Sequence, residues 1–264
     1  MSKRKLVPRL LVEERRRLIV EQVEREGRAT VAELAAHFRI SPVTIRADLE
    51  ALARNAALVR SHGGAVPAPA HAPDTPLSIK ETRRHAQKRR IGQAAAKLVE
   101  DGETIILDSG STTVEIARAL RARKWNNLTV VTNGLHIALE LGAIPAIRVM
   151  MLGGLLRASS HSLVGPGAEQ MLAQLSADRL FLGVDGIDPE VGVTTPDPQE
   201  AALNALMIRM ARQTVAVFDA SKLGQRSLSV IAPVSALSAV ITDVSADARY
   251  VKALKESGVT VRLV

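Results

Sequence analysis

Cysteine is absent from all 264 residues, which excludes disulfides and thiolate metal sites and makes a reducing cytoplasm the expected compartment. Aromatic residues make up only 2%, too few for the stacked rings on which single-stranded nucleic acid is usually held. No apolar run approaches the length of a membrane span, so no membrane association is expected. The start, Met1 to Arg9, is basic but has no apolar stretch after it, so it does not read as a secretory signal. The six His residues show no metal-ligand spacing, with His62, His71 and His85 scattered through the basic half. No metal and no cofactor are expected.

Apolar residues make up 47% and charged residues 23% of the chain, ordinary values for a globular protein. Its length allows one small and one medium domain. The net charge of +8 is unevenly placed. Residues 1–97 hold 20 Lys/Arg against 10 Asp/Glu, while residues 98–264 hold 15 against 17. A basic front half on a near-neutral body is the footprint of a polyanion binder, although a solvated basic surface gives the same count.

From Glu13 to Glu26 the apolar residues Leu18, Ile19 and Val23 read as one face of an amphipathic helix, stopped by Gly27. Thr30 caps a short helix, Val31 to Phe38. Ser41-Pro42 then opens a third helix that runs to about Asn55. Leu58 to Arg60 has strand character, and Gly63-Gly64 supplies a tight turn, so a small hairpin follows three helices. That order is a winged helix-turn-helix, expected over residues 1–66. The segment PAPAHAPDTP reads as a stiff linker, giving residues 67–77, and residues 78–264 form the second domain.

That second domain is expected to open with one long helix, Ser78 to Glu100. Beyond it, short apolar runs at Thr104–Asp108, Leu128–Val131, Ile147–Leu152, Arg179–Leu182, Thr214–Asp219 and Ala239–Ile241 alternate with helical stretches. Alternation of this kind predicts an α/β fold, Rossmann-like, with a mostly parallel sheet and ligands at the carboxyl ends of its strands.

In the third helix Ile45, Leu49 and Leu52 share the core-facing stripe, which turns Val43, Thr44, Arg46 and Ala47 outward. The first turn of a recognition helix enters the major groove. Candidate DNA contacts are therefore Ser41, Pro42, Val43, Thr44 and Arg46, the last suited to a bidentate contact with guanine. Arg60 and His62 on the wing are candidates for phosphate or minor-groove contact. The competing reading for Arg46 is an ion pair with Glu50 one turn on.

In the second half, Asp108-Ser109-Gly110-Ser111-Thr112-Thr113 lies between a strand and a helix, where backbone N–H groups and small hydroxyls form an anion cradle. It is neither a P-loop nor a dinucleotide fingerprint, and a plain helix cap has the same composition. Asn133, Gly153-Gly154, Asp185 and Lys222 also follow strands and would converge on one edge of a parallel sheet. Lys222, the hydroxyls and the amides suit a phosphate, while Asp108, Asn133 and Asp185 suit sugar hydroxyls.

The stretch GRATVAELAAHFRISPVTIRADLEAL followed by LVRSHGGA resembles the DeoR family of bacterial transcription regulators. It departs at two positions. Ala47 stands where the family commonly has a second arginine, and Ala56 where a glycine usually closes the recognition helix. Weaker or altered sequence preference is expected from these changes. DSGSTT, VTNG, LGG, SLVGPGAE, FLGVDGID, GVTT and DASK resemble the family's sensor domain, which is similar to ribose-5-phosphate isomerases and glucosamine-6-phosphate deaminases. The resemblance implies a phosphate on Ser109–Thr113, with Asp185 and Lys222 near the sugar's reacting end. FLGVDGID with GVTTPD is most similar to members that regulate amino-sugar use.

Three functions compete. The first is a repressor released from double-stranded operator DNA by a phosphorylated sugar. The second is an isomerase with a DNA-binding appendage, and the third a structural DNA binder. An enzyme needs a base beside the sugar carbonyl. Asp185, Asp188 and Lys222 are candidates, but Pro189 separates Asp188 from the next acid, Glu190, and Ile187 stands where a deaminase loop carries histidine. Binding without turnover is the expectation. A homodimer or homotetramer is expected too, because one such DNA-binding module has too little affinity alone.

Overall fold

In this computed structural model residues 11–54, 57–67 and 74–264 are described. Ala56, His71 and most of the Pro/Ala-rich segment lie outside them. The chain divides into two compact units, Met1–Arg83 and Arg84–Val264.

The first unit contains α1 (Val12–Glu26), β1 (Ala29–Thr30), α2 (Val31–Phe38), α3 (Pro42–Arg54), β2 (Leu58–Ser61), β3 (Gly64–Pro67) and α4 (Leu77–Thr82). Gly27 ends α1 at φ 72°, a left-handed position that glycine occupies without penalty. Thr30 opens α2 with a full capping box: its hydroxyl accepts from Glu33 N–H, and the Glu33 carboxylate accepts from Thr30 N–H. Ile19, Val23, Leu34, Ile45, Leu49 and Leu58 are fully buried together. β3 pairs with both β1 and β2. This pairing requires Gly64, since a Cβ there would stand 2.2 Å from the Ala29 carbonyl oxygen.

The expected helix over residues 78–100 is instead two helices. α4 buries Ile79 in the first unit's core, and α5 (His85–Ala96) buries Ile91, Ala94 and Ala95 in the second. Arg84 between them is left-handed, at φ 50°. Two separate cores claim the two halves of one helical pattern, and the chain turns where they part. The second compact unit begins at Arg84.

The second unit continues with β4 (Thr104–Leu107), α6 (Ser111–Arg121), β5 (Leu128–Thr132), α7 (Leu135–Leu141), β6 (Ile147–Met151), β7 (Leu155–Arg157), β8 (Ser162–Val164), α8 (Pro166–Leu172), β9 (Ala177–Gly183), β10 (Gly186–Asp188), β11 (Gly192–Thr195), α9 (Pro198–Met210), β12 (Ala211–Val217), β13 (Ser229–Ala232), β14 (Ala239–Thr242), α10 (Ala248–Glu256) and β15 (Thr260–Leu263). Seven strands form an entirely parallel sheet in the order β15-β14-β12-β9-β4-β5-β6.

Alternate residues feed two cores. Ile105, Leu107, Phe181, Val215, Val217 and Ile241 pack with α5, α6 and α7, while Ile106, Leu180, Leu182, Ala216 and Val240 pack with α8, α9 and α10. Helices thus cover both faces, the arrangement that parallel sheets need. α5 and α6 approach closely at Gly92, where a Cβ would lie 2.7 Å from the Glu115 backbone. The hairpin β7–β8 and the small antiparallel sheet β10-β11-β13 lie outside the main sheet. Neither was expected, and nor was β15. β7, β8 and β10 are only three residues each, β11 and β15 mix polar with apolar residues, and Val230-Ile231-Ala232 of β13 is an apolar run that is not among the expected strands. Among the described residues no helix is long and apolar enough to cross a membrane.

Candidate functional site

The surface of α3 is built as its pattern implies. Ile45, Asp48, Leu49 and Leu52 are buried, while Ser41, Pro42, Val43, Arg46 and Ala47 are exposed and Thr44 half-buried. Ser41 holds the helix start: its hydroxyl accepts from Thr44 N–H at 3.1 Å and lies 2.9 Å from Thr44 Oγ1. No ion pair joins Arg46 to Glu50 among the described residues. Arg60 on β2 instead donates to the Arg46 carbonyl at 3.3 Å, tying the wing to α3. His62 is exposed in the turn between β2 and β3.

Asp48 was not singled out from the sequence, yet it orients this surface. It is buried and pairs with Arg15 at 2.7 Å and Arg16 at 3.0 Å, so α1 and α3 are joined by a charge the apolar stripe does not reveal.

In the second unit the chain winds outward from β4 through β5 to β6, and from β9 through β12 and β14 to β15. The winding direction therefore changes between β4 and β9. In a parallel sheet the crevice at that point, outside the strands' carboxyl ends, is where ligands bind. The loops that end β4 and β9 meet there: a Cβ on Gly110 or Gly183 would lie 3.4 Å from the Cα of the other, and the Asp108 carboxylate stands closer still, at 3.3 and 3.1 Å. The loop after β5 joins them, since a Cβ on Gly134 would meet the Ser109 backbone at 3.1 Å.

Asp108 organises this junction. Its Oδ1 accepts from Gly110 N–H at 3.0 Å and from Thr113 Oγ1 at 2.7 Å, and its Oδ2 accepts from Gly183 N–H at 2.8 Å. Burial pushes its carboxyl above the ordinary range, against the pull of these three donors, and the charge of Asp185 adds to the rise. Both oxygens are thus engaged within the loop.

Ser109, Ser111, Thr112 and Thr113 are buried around the start of α6, which has no side-chain cap. The starts of α2, α9 and α10 have one, whereas those of α5, α7 and α8 have none. The N–H groups of the first turn, which have no partner within a helix, carry the positive end of its dipole.

Lys222 follows β12 in a short 3-10 turn and reaches across to Asp185, with Nζ 3.8 Å from Oδ1. Thr195 donates to the other Asp185 oxygen at 3.4 Å. Asn133 is fully buried; its amide donates to the Leu163 carbonyl at 3.2 Å, and its Oδ1 has no partner. Gly153 and Gly154 end β6 at the sheet's far edge and are exposed. Gly154 serves the β7–β8 hairpin, at φ 118° and close under the Val164 carbonyl.

Two more charges lie here: Lys88, which the sequence did not single out, and Asp219, the first residue of the DASK segment. Lys88 on α5 is 4% exposed and Asp219 2% exposed. Burial alone would raise the Asp219 carboxyl, but the charges of Lys88, Lys222 and Arg84 hold it below its ordinary value. The basic run ETRRHAQKRR and the DASK segment carry the sequence signal for this cluster.

A winged helix-turn-helix followed in the chain by a doubly wound α/β unit is the build of a DNA-binding regulator. Family models agree on both parts. The DeoR-like helix-turn-helix domain matches residues 15–68, and the DeoR C-terminal sensor domain matches residues 83–244. A putative aga operon transcriptional repressor of Escherichia coli O157:H7 is 38% identical over 95% of this chain and 93% of its own length. The HTH-type transcriptional regulator GlpR of Haloferax volcanii is 37% identical over 96% of this chain and 98% of its own. The glycerol-3-phosphate regulon repressor of Escherichia coli K12 is 32% identical over 85% and 88%. Among solved structures, ribose 5-phosphate isomerase A of Methanocaldococcus jannaschii matches 53% of this chain and 54% of its own, with a TM-score of 0.39 and 19% identity. The chain belongs to the DeoR family and is a DNA-binding transcriptional regulator.

Proposed function

We propose that this regulator represses a sugar or amino-sugar operon and leaves its operator when a phosphorylated sugar occupies the crevice between β4 and β9. The observation that carries this reading is the uncapped, buried start of α6 at the switch point, beside the end of β9 that leads to Asp185, whose carboxylate lies 3.8 Å from Lys222 Nζ. Unspent amide N–H groups and a helix dipole favour an anion, and Lys222 adds a full positive charge. Asp185 and the unpartnered Oδ1 of Asn133 are acceptors suited to sugar hydroxyls. Asp108 acts one step removed, by holding the loop. The repressor names of the relatives, for an aga operon and a glycerol-3-phosphate regulon, support the same class of effector.

On the DNA side Val43, Thr44 and Arg46 read the major groove, with Ser41 and Pro42 setting the helix start and Arg60 and His62 on the backbone. The protein acts as a homodimer or homotetramer in the cytoplasm, so that paired recognition helices meet repeated half-sites.

Binding without turnover is supported by Asp188. That carboxylate accepts from the backbone of Glu190 and Val191 and pairs with Arg226 at 3.0 Å, shaping the β10–β11 turn and not facing a substrate as a base would. The test is operator binding to the protein's own upstream DNA, titrated with phosphorylated sugars and the matching free sugars. Release by one phosphorylated sugar without its consumption is expected. Conversion of that sugar to an isomer overturns the reading. Lys222→Ala should weaken the response and leave operator affinity intact.

A further inference from the structure

The chain passes from the first unit to the second between Arg83 and Arg84. These neighbours point to different partners. Arg83 pairs with Glu24 at 3.3 Å and donates to the Ala57 carbonyl at 3.4 Å, both in the first unit. Arg84, left-handed at φ 50°, pairs with Asp219 of the second unit at 3.4 Å.

Asp219 has a second occupation. Its Oδ1 accepts from the Ser221 N–H at 3.2 Å and the Ser221 hydroxyl at 2.5 Å, and its carbonyl accepts from Lys222 N–H at 3.0 Å. The turn that presents Lys222 to the crevice is therefore folded around the same carboxyl that holds Arg84. Burial leaves this carboxylate no water to lean on, so its charge is shared among Arg84, Lys88 and Lys222. A change in the position of one cation changes its hold on the others.

We propose that Asp219 is the coupling residue of the sensor: it ties the Lys222 turn to Arg84, so that an anion drawing on Lys222 alters the backbone at the junction of the two units. This rests on the effector reading above. A ligand shifts such an equilibrium only through its different affinity for the two states. The coupling is also reciprocal, so operator DNA must weaken effector binding by the same factor by which effector weakens operator binding.

The measurement uses the full chain and its own upstream DNA, with galactosamine 6-phosphate, fructose 1-phosphate, fructose 6-phosphate and glycerol 3-phosphate as probes. Operator affinity is read with and without saturating probe, and probe affinity with and without operator. Arg84 is 44% exposed in its side chain and fills no core, so Arg84→Gln should leave each affinity, measured alone, within about twofold. The coupling factor, read from both directions, should fall on the order of fivefold or more, and Arg84→Lys should restore most of it. Asp219→Asn placed in the Arg84→Gln background should lower it no further, because the two residues act as one link.

Wild-type coupling in Arg84→Gln overturns the proposal, as does loss of probe affinity in that variant, which would make Arg84 a part of the site and not a link from it. Additive losses in the double variant overturn it as well. If no probe binds the wild-type protein, the sensor reading fails and the proposal falls with it. That outcome is told apart by the wild-type control alone.

Discussion

Replacing Asp48 with Asn tests whether the recognition helix is held in place by charge. The carboxylate is buried and receives two guanidinium groups, Arg15 at 2.7 Å and Arg16 at 3.0 Å. Removing one partner of a buried pair costs about 3–5 kcal/mol, because the remaining charge stays out of water unpaired. Two features put the expected value at the low end. The Arg16 side chain is 28% exposed and regains water, and the Asn oxygen still accepts one bond. A cost of about 3 kcal/mol is large for a unit of this size, whose whole stability is about 4–12 kcal/mol. It corresponds to roughly 150-fold faster amide exchange in the helices that unfold with it. Hydrogen exchange of the intact protein, read on peptides from α1 and α3, should show that acceleration while peptides from β4, β5 and β9 keep their protection. Exchange in α1 and α3 within about threefold of wild type would refute the reasoning, and would mean that packing of Ile45, Leu49 and Leu52 orients α3 alone.

Gly64→Ala should cost about 1–3 kcal/mol by overpacking, since the new Cβ meets the Ala29 carbonyl and the Thr30 Cα. Thermal denaturation and operator affinity should fall together, and an unchanged wing would show that β1 yields freely. Arg46→Ala should remove about 1–3 kcal/mol of operator discrimination, seen as a loss on operator that random DNA does not share; an equal loss on both would make Arg46 a phosphate contact only. Asp108→Asn should lower the melting temperature near neutral pH, because an amide N–H₂ would face the Gly183 N–H. The wild-type carboxyl titrates higher folded than unfolded. The unfolded chain therefore releases this proton first, and the group's stabilising contribution is lost as pH rises through its folded pKa. The Asn variant should lack that decline in a melting-temperature series against pH, and an identical slope in both proteins would count against the buried carboxylate as its source.

Much of the molecule can be read from residue order, because local chemistry has a direct local consequence. Thr30 writes a helix cap, Ser41-Pro42 a helix start, and Gly27 a helix stop, and all three stand where their patterns place them. The apolar runs at Ile105–Leu107 and Leu180–Leu182 announce buried parallel strands, and once the sheet is parallel their following loops share one edge. Tertiary structure decided what depends on partners distant in sequence. Asp48 is an unremarked acid on a helix until Arg15 and Arg16 fold onto it. Asp108 reads as an acceptor for sugar hydroxyls, and only the fold shows that Gly183, from a strand far along the chain, donates to one of its oxygens. The pattern over residues 78–100 is helical throughout, and only the existence of two cores breaks it at Arg84. Periodicity reports which face of a segment is apolar, but not which core that face will enter, nor which buried charge a distant arginine will meet.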